Sequence, residues 1–210
     1  VKDQPNQEPQ ADFGHVILAH GLCANRLVMW PLHRRLQFEG FQSINWGYRS
    51  TTKSCQFHAE QLVEVMRTLH SSNAASPIHF VGHSMGCIVI RAALEMYQPP
   101  SMGRVVMLAP PNRGSHVAST VGPRVKWICP TMGELSDRSN SYVNQLAPPS
   151  GYEFGIIAAQ FDWVIDPSKV QLPGGRDFLN VPSNHGMLPW HRRTLNQTAH
   201  FLKTGSFEAT

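Results

Sequence analysis

Short apolar runs alternate along this chain with longer stretches in which apolar residues return at every third or fourth position. The runs are HVILAH (residues 15–20), FQSINW (41–46), PIHFV (77–81), RVVMLAP (104–110), FGIIAAQF (154–161) and DFLNV (177–181). Each has strand length and is flanked by Gly, Pro or polar residues. Most are apolar at successive rather than alternate positions, which predicts strands buried on both faces, as in a parallel sheet covered by helices. The stretches between them supply those helices. LVMWPLHRRLQFEG (27–40) is helix-like and stops near Gly40, and in CQFHAEQLVEVMRTL (55–69) Phe57, Leu62, Val65, Met66 and Leu69 mark one helical face. Residues 85–97 read as a helix halted by Pro99-Pro100, and a last helix covers about 192–203. The expected fold is therefore α/β: a mostly parallel six-stranded sheet with helices on both faces.

Two stretches break the pattern. Residues 1–12 are polar, carry Pro5 and Pro9, and read as a flexible N-terminal lead-in to one domain spanning 13–210. Residues 112–151, rich in Ser, Pro and Gly, follow neither period, and 113–151 is the natural place for a lid or a substrate-pocket insertion. At 210 residues, 41% hydrophobic and 15% charged, the chain has enough apolar material for a self-standing core. Its formal charge of +4 comes from scattered residues, with Arg34-Arg35 and Arg192-Arg193 the closest pairs, so no nucleic-acid partner is expected. Cys23, Cys55, Cys87 and Cys129 show neither zinc-ligand spacing nor a dense disulfide framework, and a single bridge between two of them stays open. No apolar run approaches the ~20 residues of a membrane span, and a sequence opening on Val1 assigns no compartment.

The chemistry concentrates in HFVGHSMGCIVIRAAL (79–94). G-x-S-x-G alone is a weak pattern, because Gly and Ser are common. Here an apolar run feeds it and Cys87-Ile88-Val89-Ile90 follows at once, the strand–turn–helix setting in which the pattern has a mechanism. A turn that sharp leaves no room for side chains at Gly82 and Gly86. It also holds the serine at strained backbone angles and aims the next helix's N-terminus at a developing negative charge. Ser84 is the expected nucleophile.

A serine hydroxyl needs a base to take its proton. Of eleven histidines, His185 in LNVPSNHGML lies four residues past Val181, in the loop after the last strand. His191, near the start of the last helix, reads as a surface or capping residue, and His83 as one that packs or bonds locally inside the turn. The acid should follow the preceding strand. Asp162 stands directly after GIIAAQF, where a carboxylate can turn into the crevice and orient an imidazole. Asp166, before Pro167, is the second candidate and looks like a helix N-cap, whereas Asp177 opens a strand at the opposite end of the sheet. Two backbone amides complete the expected site as an oxyanion hole: Met85, after the serine, and Leu22, after the bend at His20-Gly21.

Taken together, AHGLCANRLVMWPL, GYRSTTKS, FVGHSMGCIVIRAAL, GRVVMLAPPNRGS, GIIAA and DPSKVQLPGGRDFLNVPSNHGML resemble the small bacterial lipase/esterase-like members of the α/β-hydrolase superfamily, related to its GPI inositol-deacylase-like and triacylglycerol-lipase branches. The resemblance runs from His15 to the closing FLKTGSF. It implies a compact α/β-hydrolase fold, Ser84 as nucleophile, Asp162 as acid, His185 as base, and the amides of Leu22 and Met85 as oxyanion donors. Two positions depart from the pattern. Cys87 stands where a second glycine is common and Arg49 where a proline is common, and Cys87 is expected to act as a small buried apolar residue.

The expected activity is hydrolysis of carboxylic esters, by an esterase or lipase, through an acyl-enzyme on Ser84. No metal or organic cofactor is expected, and the partner is an ester or lipid small molecule. Met29, Trp30, Trp127 and Met132 are candidates for an acyl pocket, with core packing as the alternative. A thioesterase or acyltransferase would use the same triad, and a binding protein on a hydrolase fold would keep it idle. A lid over 113–151 would bring transient contact with a membrane or lipid interface. The sequence assigns no oligomeric state.

Overall fold

A computed structural model describes residues 13–125, 127 and 129–209, so the lead-in expected over 1–12 lies outside the described residues. The apolar runs form strands β1 (His15–Ala19), β2 (Gln42–Trp46), β3 (Ile78–His83), β4 (Met102–Leu108), β5 (Phe154–Ala159) and β6 (Asp177–Val181). They make one sheet in the order β2-β1-β3-β4-β5-β6, with every neighbour parallel. Ends differ from expectation by a residue or two. β3 runs on through Gly82 and His83, while β4 stops at Leu108 because Ala109 takes a left-handed φ of 44° and turns the chain.

The unbroken apolar runs are explained by what lies on each face. Ile17 and Ala19 of β1, Val105 and Met107 of β4, and Phe154, Ile156 and Ala158 of β5 pack into one buried cluster. Their neighbours Val16 and Leu18, Val106 and Leu108, and Ile157 and Ala159 pack into another. Successive side chains point to opposite faces, so both alternating sets must be apolar. The first face is covered by α2 (Cys55–Ser72) and α3 (Met85–Met96), the second by α1 (Trp30–Phe38) and α7 (Arg192–Thr204). Ser54 caps α2 by accepting from the Phe57 amide at 3.1 Å, and α7 ends at Gly205 with φ 86°. Among the described residues no helix is long and apolar enough to cross a membrane.

Where no period was legible, the chain forms three short helices, α4 (His116–Val125), α5 (Pro130–Glu134) and α6 (Tyr142–Gln145). Ala118, Leu135 and Val143 join the first cluster, but polar bonds fasten much of the segment. Ser115 Oγ donates to the Val164 carbonyl at 2.8 Å and Asn112 Nδ2 to that of Val170 at 2.6 Å. Lys169 Nζ donates to Asp137 Oδ2 at 2.6 Å. On the far side Thr131 Oγ1 donates to the Lys53 carbonyl, and Glu134 accepts from the Cys55 amide, both at 2.7 Å.

The strand order places the site. From β1 the chain moves outward to β2, then returns across β1 to β3. The loops leaving β1 and β3 therefore part at their carboxyl ends and open a crevice, the position where α/β sheets bind ligands.

Candidate active site

Ser84 sits between β3 and α3 with φ 52° and ψ −122°, a left-handed conformation that a non-glycine residue adopts only under constraint. The constraint is visible. Its amide donates to the Leu108 carbonyl at 2.9 Å and its carbonyl accepts from Cys87 at 3.0 Å. A Cβ on Gly82 would come within 2.7 Å of the Cys87 backbone, and one on Gly86 would meet the Ala19 carbonyl and come within 2.7 Å of that of His20. A Cβ on Gly21 would lie 3.1 Å from that of Ser84. Serine at a helix N-cap ordinarily caps with its hydroxyl. Ser84 does not, and its Oγ has no hydrogen-bond partner among the described residues. Cys87 is fully buried, and its thiol, pushed up in pKa by burial, faces the Leu108 carbonyl at 3.7 Å.

His185 follows β6 and Asp162 follows β5, so both lie at the carboxyl edge. His185 Nδ1–H donates to Asp162 Oδ2 at 2.7 Å, which leaves Nε2 as the ring nitrogen turned away from the carboxylate. Asp162 Oδ1 accepts from the amides of Val164 at 2.8 Å and Ile165 at 2.9 Å. Burial opposes ionisation of this carboxyl, yet the His185 bond and charge and those two amides together hold its pKa below the usual range. Asp166 instead caps the short turn Pro167–Lys169, accepting from Ser168, and Asp177 binds the Phe207 amide at 2.7 Å. His191 caps α7 through Nδ1, which accepts from Arg193.

His83 behaves differently from expectation. Its Nε2 lies 3.0 Å from the carbonyl of His185, a hundred residues away in sequence rather than inside the turn. A carbonyl only accepts, so Nε2 carries a proton. Burial, then the charge of His185, pushes the His83 pKa down to about 3, which keeps that donor unchanged at neutral pH. The loop after β1 has its own anchor. Tyr48 stacks on His20 at 4.3 Å and donates its hydroxyl to the His20 carbonyl at 2.6 Å.

Ser84 and His185 share the wall of a cavity of about 240 Å³, without a direct hydrogen bond to each other. Leu22, Val117, Ala118, Met132, Leu135 and Val164 supply most of its apolar lining. Neither the Leu22 nor the Met85 amide donates to another described residue. Of the proposed acyl-pocket residues, Met132 alone lines this cavity. Met29 is fully buried on the sheet's other face with Leu32 and Leu36, because the turn Arg26–Met29 delivers it under α1. Trp30 is half exposed on α1 and Trp127 is 90% exposed. Sequence reasoning missed Tyr48, Ser115 and the reach of His83, since a bond between distant segments leaves no local pattern. Among the described residues no group of three or more His, Cys, Asp or Glu side chains is arranged to hold a metal ion.

This topology and edge site define an α/β hydrolase. The chain belongs to the alpha/beta hydrolase fold family, whose model its sequence matches over residues 14–132, more than half its length. No protein of curated function matches it by sequence. Solved structures similar in fold include Aspergillus fumigatus lipase B, at a TM-score of 0.72 and 13% identity, covering 90% of this chain and 52% of that one. A metagenomic carboxyl esterase gives 0.67 at 17% identity, over 88% and 69% of the two chains. A mature Bacillus licheniformis lipase gives 0.62 at 13%, over 87% of each.

Proposed function

We propose that this protein is a serine carboxylic-ester hydrolase with Ser84 as nucleophile, His185 as general base and acid, and Asp162 as the acid that orients and stabilises His185. The observation that carries this reading is the 2.7 Å Asp162–His185 pair on a cavity shared with a serine in a strained turn. On substrate binding the Ser84 hydroxyl rotates to His185 Nε2, gives up its proton and attacks the acyl carbonyl. The amides of Leu22 and Met85 receive the oxyanion. The imidazolium returns its proton to the departing alcohol, and a water molecule, activated the same way, releases the acid and restores Ser84.

The lining points to the acyl side. A cavity of about 240 Å³ falls below the roughly 300–1,000 Å³ of sites for drug-sized ligands, which favours a short or medium acyl chain against Met132 and Leu135. The fold neighbours named as lipases and a carboxyl esterase support the ester class, and residues 113–151 supply the substrate-side wall. Exposed Trp163 beside Asp162 and Met187 beyond His185 suit brief contact with a lipid surface.

A nitrophenyl ester series from acetate to palmitate tests the reading. Turnover should peak at short to medium chains and fall by at least about 10³-fold in Ser84→Ala. Equal hydrolysis by Ser84→Ala would overturn it.

A further inference from the structure

The loop after β1 meets the Ser84 turn at Gly21, where a Cβ would lie 3.1 Å from that of Ser84, and the next residue, Leu22, lines the cavity. The direction of the Leu22 amide is set by the peptide group it belongs to. That group is planar and trans, so the Gly21 carbonyl and the Leu22 N–H point opposite ways. The Gly21 carbonyl lies 2.9 Å from His20 Nδ1. A carbonyl only accepts, so Nδ1 carries a proton and donates it. On the other side of the ring, Nε2 accepts from the Tyr48 amide at 3.5 Å. His20 is fully buried, and its two ring nitrogens join the loop to Tyr48.

Tyr48, just past the edge strand β2, holds this arrangement a second way. Its hydroxyl donates to the His20 carbonyl at 2.6 Å, and its ring stacks on the His20 ring at 4.3 Å. The same carbonyl is closed in by α3, since a Cβ on Gly86 would come within 2.7 Å of it. Tyr48 is itself held from two further elements: Trp46 of β2 stacks on it at 4.6 Å, and the His58 ring of α2 lies 4.7 Å away. Burial pushes the Tyr48 pKa well up, so the hydroxyl stays a donor across the working pH range. Neither Tyr48 nor His20 lines the Ser84 cavity.

We infer that Tyr48 is a positioning residue, which acts through His20 to hold the Leu22 amide on the oxyanion before substrate arrives. The inference rests on the proposed ester hydrolysis and adds to it a residue outside the cavity. A donor fixed in advance stabilises the developing charge without reorganising during the reaction. The bond from Nδ1 to the Gly21 carbonyl also polarises that peptide group, which strengthens its N–H as a donor.

The test compares the native chain with Tyr48→Phe, which keeps the stacked ring and removes only the hydroxyl. Three readings are taken at the best acyl length: kcat and KM for the ester, the Ki of a trifluoromethyl ketone, and the Ki of the matching alcohol. The ketone adds Ser84 to give an oxyanion, whereas the alcohol binds without one. In Tyr48→Phe kcat should fall about tenfold to thirtyfold, less than the roughly 10²–10³ that deleting a donor outright costs. The ketone Ki should rise by the same factor, with KM and the alcohol Ki within about twofold. His20→Asn, which keeps a side-chain N–H donor, should retain more of kcat than His20→Leu, and equal loss in both would overturn the route through His20. Native kcat and ketone affinity in Tyr48→Phe would overturn the inference, as would equal losses for ketone and alcohol, the mark of a hydroxyl that only supports the fold. A native chain that hydrolyses no ester and takes up no fluorophosphonate overturns the proposed function, and the inference with it.

Discussion

The turn at Ser84 and the segment 112–151 face each other across one cavity, yet they are built on different principles. Around Ser84 the turn is held by backbone hydrogen bonds and close backbone packing, with no space for even a methyl group on Gly82 or Gly86. The opposite wall is fastened by individual polar bonds: Ser115 to Val164, Asn112 to Val170, Lys169 to Asp137, Thr131 to Lys53. Close packing admits one arrangement and resists change. Individual polar ties contribute about 0.5–1.5 kcal/mol net each and can be exchanged singly. On the proposed function, the reacting atoms would sit on the half that cannot adjust, and substrate selection would fall to the half that can.

The contrast can be broken from either side. Asp162→Asn should cut kcat by about 10⁴-fold with little change in fold, because it leaves His185 in the wrong tautomer; a loss under about tenfold would remove Asp162 from the chemistry. Gly86→Ala drives a methyl into the β1 backbone and should cost about 3 kcal/mol or more, seen as a lowered urea midpoint or insoluble protein. A near-native midpoint would show the turn to be slack. His83→Phe removes the donor to the His185 carbonyl and should lower kcat on the order of tenfold to 10² with KM little changed. His83→Gln, which keeps an N–H donor, should recover part of it, and equal loss in both would mean that His83 only fills space.

Acidification separates the halves further. His79 and His83 are buried neutral, with pKa values pushed down to about 4 and about 3, chiefly by burial in each case. The unfolded chain binds protons at these positions below about pH 6.5 and the folded chain does not. Stability is therefore full above that pH and should fall by up to about 1.4 kcal/mol per unit for each, down to the depressed values. Urea titrations at neutral and mildly acid pH should show this slope, made shallower in His79→Gln. The smallest effect is expected opposite the turn. Asp137→Asn loses the ion pair with Lys169 and should cost about 1 kcal/mol or less, shifting ester chain-length preference more than the rate on the best substrate.

What the sequence disclosed follows the same division. β1 through β6 were legible because strands buried on both faces must be apolar at nearly every position, and the turn at Ser84 because Gly82 and Gly86 have no tolerable substitutes. Asp162 and His185 were assigned from their places after β5 and β6, where the structure puts them within one hydrogen bond. Helices α4 to α6 were not, since short elements held by serine, asparagine and threonine bonds carry no hydrophobic period. Met29 and Trp30 misled for a related reason: on a helix-like stretch an apolar residue for the core and one for a pocket look alike. His83 reaches His185 through a contact that only the closed sheet creates.

The most direct measurement is covalent labelling with a fluorophosphonate, read by intact mass and peptide map in the native protein, Ser84→Ala and His185→Ala. The account predicts one adduct on Ser84 in the native chain and none in either variant. An adduct on another residue, or a native protein that takes up no label, would contradict it.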